Sequence, residues 1–418
     1  MLNAGIVNVA IDLKKTPTDI AKLSGYLLLV TGAAGPFVSA LGRKYGKRPV
    51  YVASSLIGTI GLIVAETATG YGALLAGRVI QGIAVAAYEA LPVATIGDLF
   101  FVHERGPRVA ILIFFLSAIA NGVSIIAGVI TLNLGWHYNF HLCMPFALLQ
   151  LIMVIVYAPE TMYRRKHIYE TDEAGSETDL NKLAIHEHRV QEKHNHEMGH
   201  ETKGQPNVEV ERTMTRQTTV ESIPPKKTFM QEMALYNGSF VNDPLWKMVL
   251  ACPAIMLNLG ALYQILSTGI IIAWFVAVAI TTGVIFASPP YLMNSAAIGY
   301  MSAGPLIGAL LASLTCFFTA SPYIKFMSRR NKGIYEPEFC LIPLSLGCVC
   351  TVAGLLGWGY AVQGHGSVYL VCFLWALMLF GMTIIATFAT QWALDAYRAY
   401  STELFIMNMV FKNFFFYG

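Results

Sequence analysis

Charged side chains are what this sequence has least of. Only 13% of its 418 residues are Asp, Glu, Lys or Arg, where a soluble domain carries about 25%, and residues 248 to 324 include none at all. With 55% hydrophobic residues the chain has more apolar surface than one water-facing fold can bury, which assigns it to a lipid bilayer. A formal charge of +3 is too small to mark a nucleic-acid partner. All seven cysteines lie in or beside apolar segments, where Cys packs as a small hydrophobe, so neither a disulfide framework nor a metal set is read from them. The start lacks the basic stretch and small-residue cleavage site of a secretory signal. No phosphate-cradling glycine loop is present either, which argues against an ATP-driven pump; no enzyme activity and no cofactor are expected.

What is there is a series of apolar stretches. A helix needs about 17–25 residues to cross roughly 30 Å of hydrocarbon. Ten charge-poor segments qualify: 22–41, 49–66, 71–96, 108–132, 141–158, 248–287, 298–321, 340–361, 368–391 and 401–418. The sixth is too long, since forty helical residues extend about 60 Å. It is expected to be tilted, or broken near Pro253 or Gly269. Between the fifth and sixth lies a polar stretch, 159–245, holding 15 of the 25 acids. The chain therefore divides into an N-terminal bundle (1–158), a polar linker (159–245) and a C-terminal bundle (246–418).

Lys and Arg are retained in cytoplasmic loops near membrane ends. They follow the first, third, fifth, seventh and ninth spans, whereas the alternate connections "ETATGY", "LGWHYNF", "SPPYLMNSA" and "VQGHGS" contain neither. Every second loop, the linker included, is thus expected to be cytoplasmic. This describes a multi-pass, all-α protein.

Several segments resemble one family. "LGRKYGKRPVY" (41–51) is similar to the basic turn between helices two and three of the major facilitator superfamily, and "AGRVIQGIAVAAYEA" (76–90) to its arginine-bearing fourth helix. "GDLFFVHERGPR", "LGWHYNF", "APETMYRR" and "RRNKGIYEPEF" resemble fungal twelve-span drug:proton antiporters. The resemblance implies two bundles of transmembrane helices related by a pseudo-two-fold axis, with helices two to eleven present and the first and last lacking. It further implies a monomeric, plasma-membrane transporter with protons and a small-molecule substrate as partners. The alternative from another class is a truncated, non-transporting relative acting as a scaffold or regulator.

Two turns are candidates for gating. In the first, Gly42 and Gly46 allow a tight connection, and Arg43, Lys44, Lys47 and Arg48 sit where helix carbonyls and anionic headgroups favour cations. They serve as an inner-face anchor, or as a latch that grips the other bundle in one of two states. The family pattern places an Asp where this chain has Arg43. In the second turn, Arg329, Arg330, Glu336 and Glu338 are expected to pair across Lys332-Gly333.

Within the spans, Arg78 and Glu89 are eleven residues apart, hence about 20° apart around a helix and some 16 Å along it. Both are expected to look toward one side, with Gln81 near that stripe. An ionised group in mid-membrane costs at least about 2.5–3.5 kcal/mol, so each requires a wet cavity or a partner. Arg78 either satisfies backbone carbonyls and joins two helices, or tunes a proton-accepting or substrate-binding site. Burial favours the neutral form of a carboxyl and a nearby cation its charged form, so Glu89 is the candidate proton carrier, or equally holds an organic cation directly, unless it sits near the headgroups as an interfacial acid. Asn121, Tyr263, Gln264 and Tyr300 are candidate cavity groups or ordinary packing residues. Five histidines between 186 and 200 carry a weak metal-ligand pattern, read as solvated linker.

Overall fold

The apolar stretches of the sequence become helices whose starts are marked by their own side chains. In the computed structural model, which describes residues 5–100, 102–161, 233–234, 238–240, 244–334, 336–397 and 400–417, no strand occurs among the described residues. A short helix α1 (Ile6–Asp12) precedes α2 (Pro17–Tyr45), which begins at Pro17, with Thr16 Oγ1 accepting from the Asp19 amide at 3.2 Å. Pro at the first helical position loses no bond and a hydroxyl cap satisfies an orphan donor. Then follow α3 (Lys47–Glu66), α4 (Tyr71–Leu99), α5 (Val102–Asn133) and α6 (Tyr138–Tyr157).

The second series is α7 (Leu245–Ala254), α8 (Leu259–Ala287), α9 (Ser295–Met301), α10 (Ala303–Arg330), α11 (Leu341–Gln363), α12 (Val368–Ala396) and α13 (Ser401–Tyr417). Among the described residues, nine helical stretches are long and apolar enough to cross a membrane. Of the ten expected spans the last, α13, falls short: its 17 residues extend about 25 Å. Leu404, Ile406, Met407 and Met409 are all buried, which makes α13 a core helix rather than one facing lipid.

The overlong sixth segment breaks just after Pro253, one of the two expected places, and not at Gly269. A 3-10 turn (Ile255–Leu257) follows α7, and Asn258 then caps α8, its Oδ1 accepting from the amides of Gly260 (3.0 Å) and Ala261 (3.4 Å). The Tyr397 hydroxyl also donates to Asn258 Oδ1 at 2.9 Å, so α8 starts beside the α12–α13 connection. Residues 245–257 therefore lie outside the crossing. The apolar composition ran on through a capped break, and the side chain of Asn258 was the signal.

Packing runs α3 against α2, α4 and α6, and α11 against α12, which also contacts α10 and α8. The two series meet through α2 with α13, and α5 with α9, α10 and α12. One buried cluster joins them, with Ala90 and Val109 beside Ile265, Phe388 and Leu404. Outward faces carry exposed Leu, Ile and Phe, as on α6 with Phe146, Leu149 and Ile152, where lipid tails replace water.

The contact of α11 with α12 rests on absent side chains. A Cβ at Gly354 of α11 would lie 2.5 Å from the Met378 amide nitrogen of α12 and 2.8 Å from the Leu374 carbonyl, whereas one at Gly359 would meet nothing within 4 Å. Small residues allow this approach, and bulk forces backbones apart. Gly354→Val is expected to cost about 1–3 kcal/mol, read as a lowered thermal-unfolding midpoint in detergent, while Gly359→Val on the same helix leaves the midpoint close to wild type.

Candidate functional site

The turn joining α2 to α3 is organised around Gly46, whose φ of +100° is a conformation that side chains disfavour. The Glu160 carboxylate, just beyond α6, accepts from the amides of Lys47 (3.1 Å) and Arg48 (3.2 Å). That places negative charge on the open N-terminus of α3. Arg48 Nη2 donates to the Ile155 carbonyl at 2.9 Å. Lys47 and Arg48 are accordingly buried, tied into the first series rather than facing headgroups. The Lys44 carbonyl accepts from the Phe240 amide at 2.9 Å, and Gly42 is packed against Leu91 of α4.

Arg43 reaches the second series, forming an ion pair with Glu403 of α13. The Glu403 side chain is 6% exposed and that of Arg43 35%, so the carboxylate depends on this partner far more than the guanidinium does. The base stands where the family resemblance expects an acid, and the complementary charge has moved to the other series.

The other turn closes differently. Arg329 and Arg330 are exposed and meet no carboxylate among the described residues, Glu338 is likewise exposed, and Glu336 accepts instead from Asn331 Nδ2 at 3.1 Å. Lys332 (φ 55°) and Gly333 (φ 87°) turn the chain left-handed, and the Gly333 amide closes on the Ser328 carbonyl at 2.8 Å. This leaves Asn331, not an arginine, beside Glu336. The expected pairing across Lys332-Gly333 is not formed.

Helical arithmetic puts Arg78 and Glu89 on one stripe, yet the structure gives them different surroundings, because α4 has different neighbours at the two levels. Arg78 faces a cavity of about 430 Å³ between α3, α4 and α6. Its Nη1 donates to Gln81 Oε1 at 3.0 Å, Gln81 Nε2 donates to the Gly61 carbonyl at 3.3 Å, and the guanidinium lies 5.2 Å over the Phe140 ring. Arg78 Nε is buried without a partner. Uncompensated, such a charge costs at least about 2.5–3.5 kcal/mol in mid-membrane.

Glu89 instead meets α13. Its Oε1 pairs with the Lys412 ammonium and its Oε2 accepts from Asn413 Nδ2 at 3.1 Å. The side chains of Lys412 and Glu89 are 18% and 27% exposed. Counted from the helix ends nearest the basic turns, Glu89 is about 15 Å deep along α4 and Lys412 about 16 Å along α13, so the two charges meet at matched depth. Asn408 of α13 adds a third contact, accepting from Thr268 Oγ1 of α8 at 3.0 Å. α13 thus carries a polar seam whose Glu403, Lys412 and Asn413 engage the first series.

The remaining candidates scatter. Gln264 is buried, with its Oε1 unpartnered, and its carbonyl accepts from Thr268 at 2.6 Å, which puts it beside the seam. Asn121 is buried and donates to the Ser117 carbonyl of its own helix at 2.8 Å. Tyr263 and Tyr300 are more than half exposed and line no part of the α3–α4–α6 cavity. The histidines at 186–200 and Arg398 lie outside the described residues. Sequence reading missed Lys412, Asn413 and Glu403 as site residues, although Glu403 and Lys412 are the only charges in their apolar segment and the cost that singled out Arg78 and Glu89 applies to them equally.

The sequence profile of the Major Facilitator Superfamily matches residues 1–412. The MFS transporter cpaT of Aspergillus oryzae is 24% identical over 411 residues, covering 96% of this chain and 72% of that protein. The multidrug transporter DTR1 of Candida glabrata is 23% identical over 381 residues, covering 89% and 64%. The MFS antiporter QDR3 of Candida albicans is 26% identical over 178 residues, covering 42% of this chain and 25% of that one. These alignments therefore span from a quarter to under three quarters of the relatives' lengths. Among solved structures, the xylose transporter XylE from E. coli superposes with a TM-score of 0.56 at 14% identity, covering 100% of this chain and 85% of that one. The nucleoside transporter NupG superposes with a TM-score of 0.54 at 13% identity, covering 100% and 85%. At such identities the superpositions establish the fold.

The ion pair of α2 with α13 is open to a double-mutant cycle. Arg43→Glu and Glu403→Arg each set like charges together and are expected to lower the unfolding midpoint, while the double exchange restores most of the loss. The expected coupling is about 1–3 kcal/mol, measured by thermal unfolding in detergent at low and high salt.

Proposed function

Because the chain belongs to the Major Facilitator Superfamily, we propose that it moves a small solute across a membrane by alternating access, with Glu89 carrying the coupling proton. The observation that carries this reading is the Glu89–Lys412–Asn413 contact, in which a carboxylate of the first series holds a cation and an amide of the second. A proton on Glu89 removes the charge that Lys412 is paired with. Deleting one member of a fully buried pair costs about 3–5 kcal/mol. At the partial exposure here the effect is smaller, on the order of 1–3 kcal/mol, which still shifts a two-state equilibrium roughly 5- to 150-fold.

Protonation therefore weakens the hold of α4 on α13, and α13 is free to separate with its own series. Arg43 and Glu403 act as a second contact of the same kind at the basic end. Residues 1–158 and 246–418 are the two bodies that rock, working as a monomer. The segregation of Lys and Arg supports a cytoplasmic location for the basic turns and for residues 159–245, and the family resemblance makes the plasma membrane the proposed location. Similarity to a multidrug transporter and an antiporter makes a lipophilic cation such as ethidium the first solute to try.

In proteoliposomes, wild-type protein is expected to accumulate ethidium against its gradient when a pH gradient is imposed, and to stop when the gradient is collapsed. Glu89→Gln is expected to lose gradient-driven accumulation by about tenfold or more while retaining solute exchange, and Glu89→Asp to keep part of it. Accumulation by Glu89→Gln at the wild-type rate, or wild-type transport indifferent to the pH gradient, refutes proton carriage by Glu89.

A further inference from the structure

We infer that the cavity between α3, α4 and α6 is a binding site for an amphipathic organic anion, an oxyanion carried on an elongated apolar body, with Arg78 as its counter-ion. This site lies within the first series, apart from the Glu89 contact, and equilibrium binding to it does not require transport. A guanidinium is a rigid, planar donor suited to gripping a carboxylate through two bonds. Arg78 uses Nη1 on Gln81 and keeps a buried, unpartnered Nε. Among the described residues no carboxylate meets it. Gln81 is itself fixed by the Gly61 carbonyl and Phe140 lies under the guanidinium face, so the cation is oriented without being neutralised.

The rest of the cavity describes the ligand. Arg78, Gln81, Val85 and Tyr88 follow one another at helical spacing along the wall formed by α4, and Arg78 and Tyr88 are about 15 Å apart along the axis. The far end is polar, with the Tyr88 hydroxyl against Ser55, whereas the stretch between is narrowed by Ala84 facing Gly58 and is largely apolar. The volume of about 430 Å³ lies within the range of small-molecule sites. The chemistry that fits is an anionic head at Arg78, an apolar body, and a tail that reaches hydrogen-bonding groups. Free organic acids and anionic lipids both present such chemistry.

The test is isothermal titration of the full chain in phosphatidylcholine nanodiscs with 5-phenylpentanoate, its neutral amide and 5-phenylpentylamine. The carboxylate is expected to bind, and the amide and amine about tenfold or more weakly. Arg78→Gln is expected to lose the carboxylate preference. Val85→Trp, which fills the cavity and leaves Arg78 in place, is expected to abolish binding while the unfolding midpoint shows the protein intact. Loss of the carboxylate signal when phosphatidylglycerol is added, provided the lipid effect also requires Arg78, supports the site with a lipid as its natural occupant. Persistence of the signal in that mixture supports a free acid. Equal binding of acid and amide, binding unchanged in a folded Val85→Trp protein, or no binding by wild type in either lipid overturns the proposal. Failure of Glu89→Gln to affect transport leaves these binding outcomes untouched.

Discussion

A charge inside hydrocarbon has to find an opposite charge or a polar partner, and most of what distinguishes this molecule follows from how four of its charges do so. Glu89 and Lys412 lie at matched depth on helices from different series, and each satisfies the other. Arg43 and Glu403 repeat the arrangement at the basic end. Both pairs pass through α13, which is why a helix with two charges and a run of buried Leu, Ile and Met sits in the core between α2, α4 and α8 instead of at the lipid boundary. Asn408 and Thr268 fix the same helix to its own series.

This arrangement suits the two-state motion proposed above. A contact made only of apolar packing has no chemical handle by which a proton or solute can loosen it. A charged pair has one, because neutralising either member removes the attraction and strands the other. Within each series, by contrast, contacts such as Gly354 against Met378 are backbone-close and apolar, which keeps helices together as a body.

The order of nine of the ten expected spans was legible in the sequence because each crossing demands a long charge-poor run and each basic loop interrupts it; the tenth, α13, is too short to be counted with them. Glu89 and Arg78 were legible for the converse reason, as charges where none is tolerated. Their partners were not, since helical arithmetic places both on one side of α4 but cannot state that Phe140 lies beside one and Lys412 beside the other. The same limit applies to Tyr263 and Tyr300, whose composition fits a cavity but whose positions face outward. The break after Pro253 was legible in the excess length of the segment, whereas the cap at Asn258 was not, because hydropathy does not register one, and the exchange of an expected acid for Arg43 acquires meaning only when Glu403 is found opposite it.

Phe240 is stitched to the Lys44 carbonyl, and α7 lies against α2 and α13 before Asn258 starts α8. For the rocking motion proposed above, the effective leash is therefore the stretch from 240 to 258, not the whole segment that begins after α6. Lengthening or shortening the chain upstream of that stitch leaves the leash unchanged, whereas inserting residues between the stitch and the cap slackens it directly.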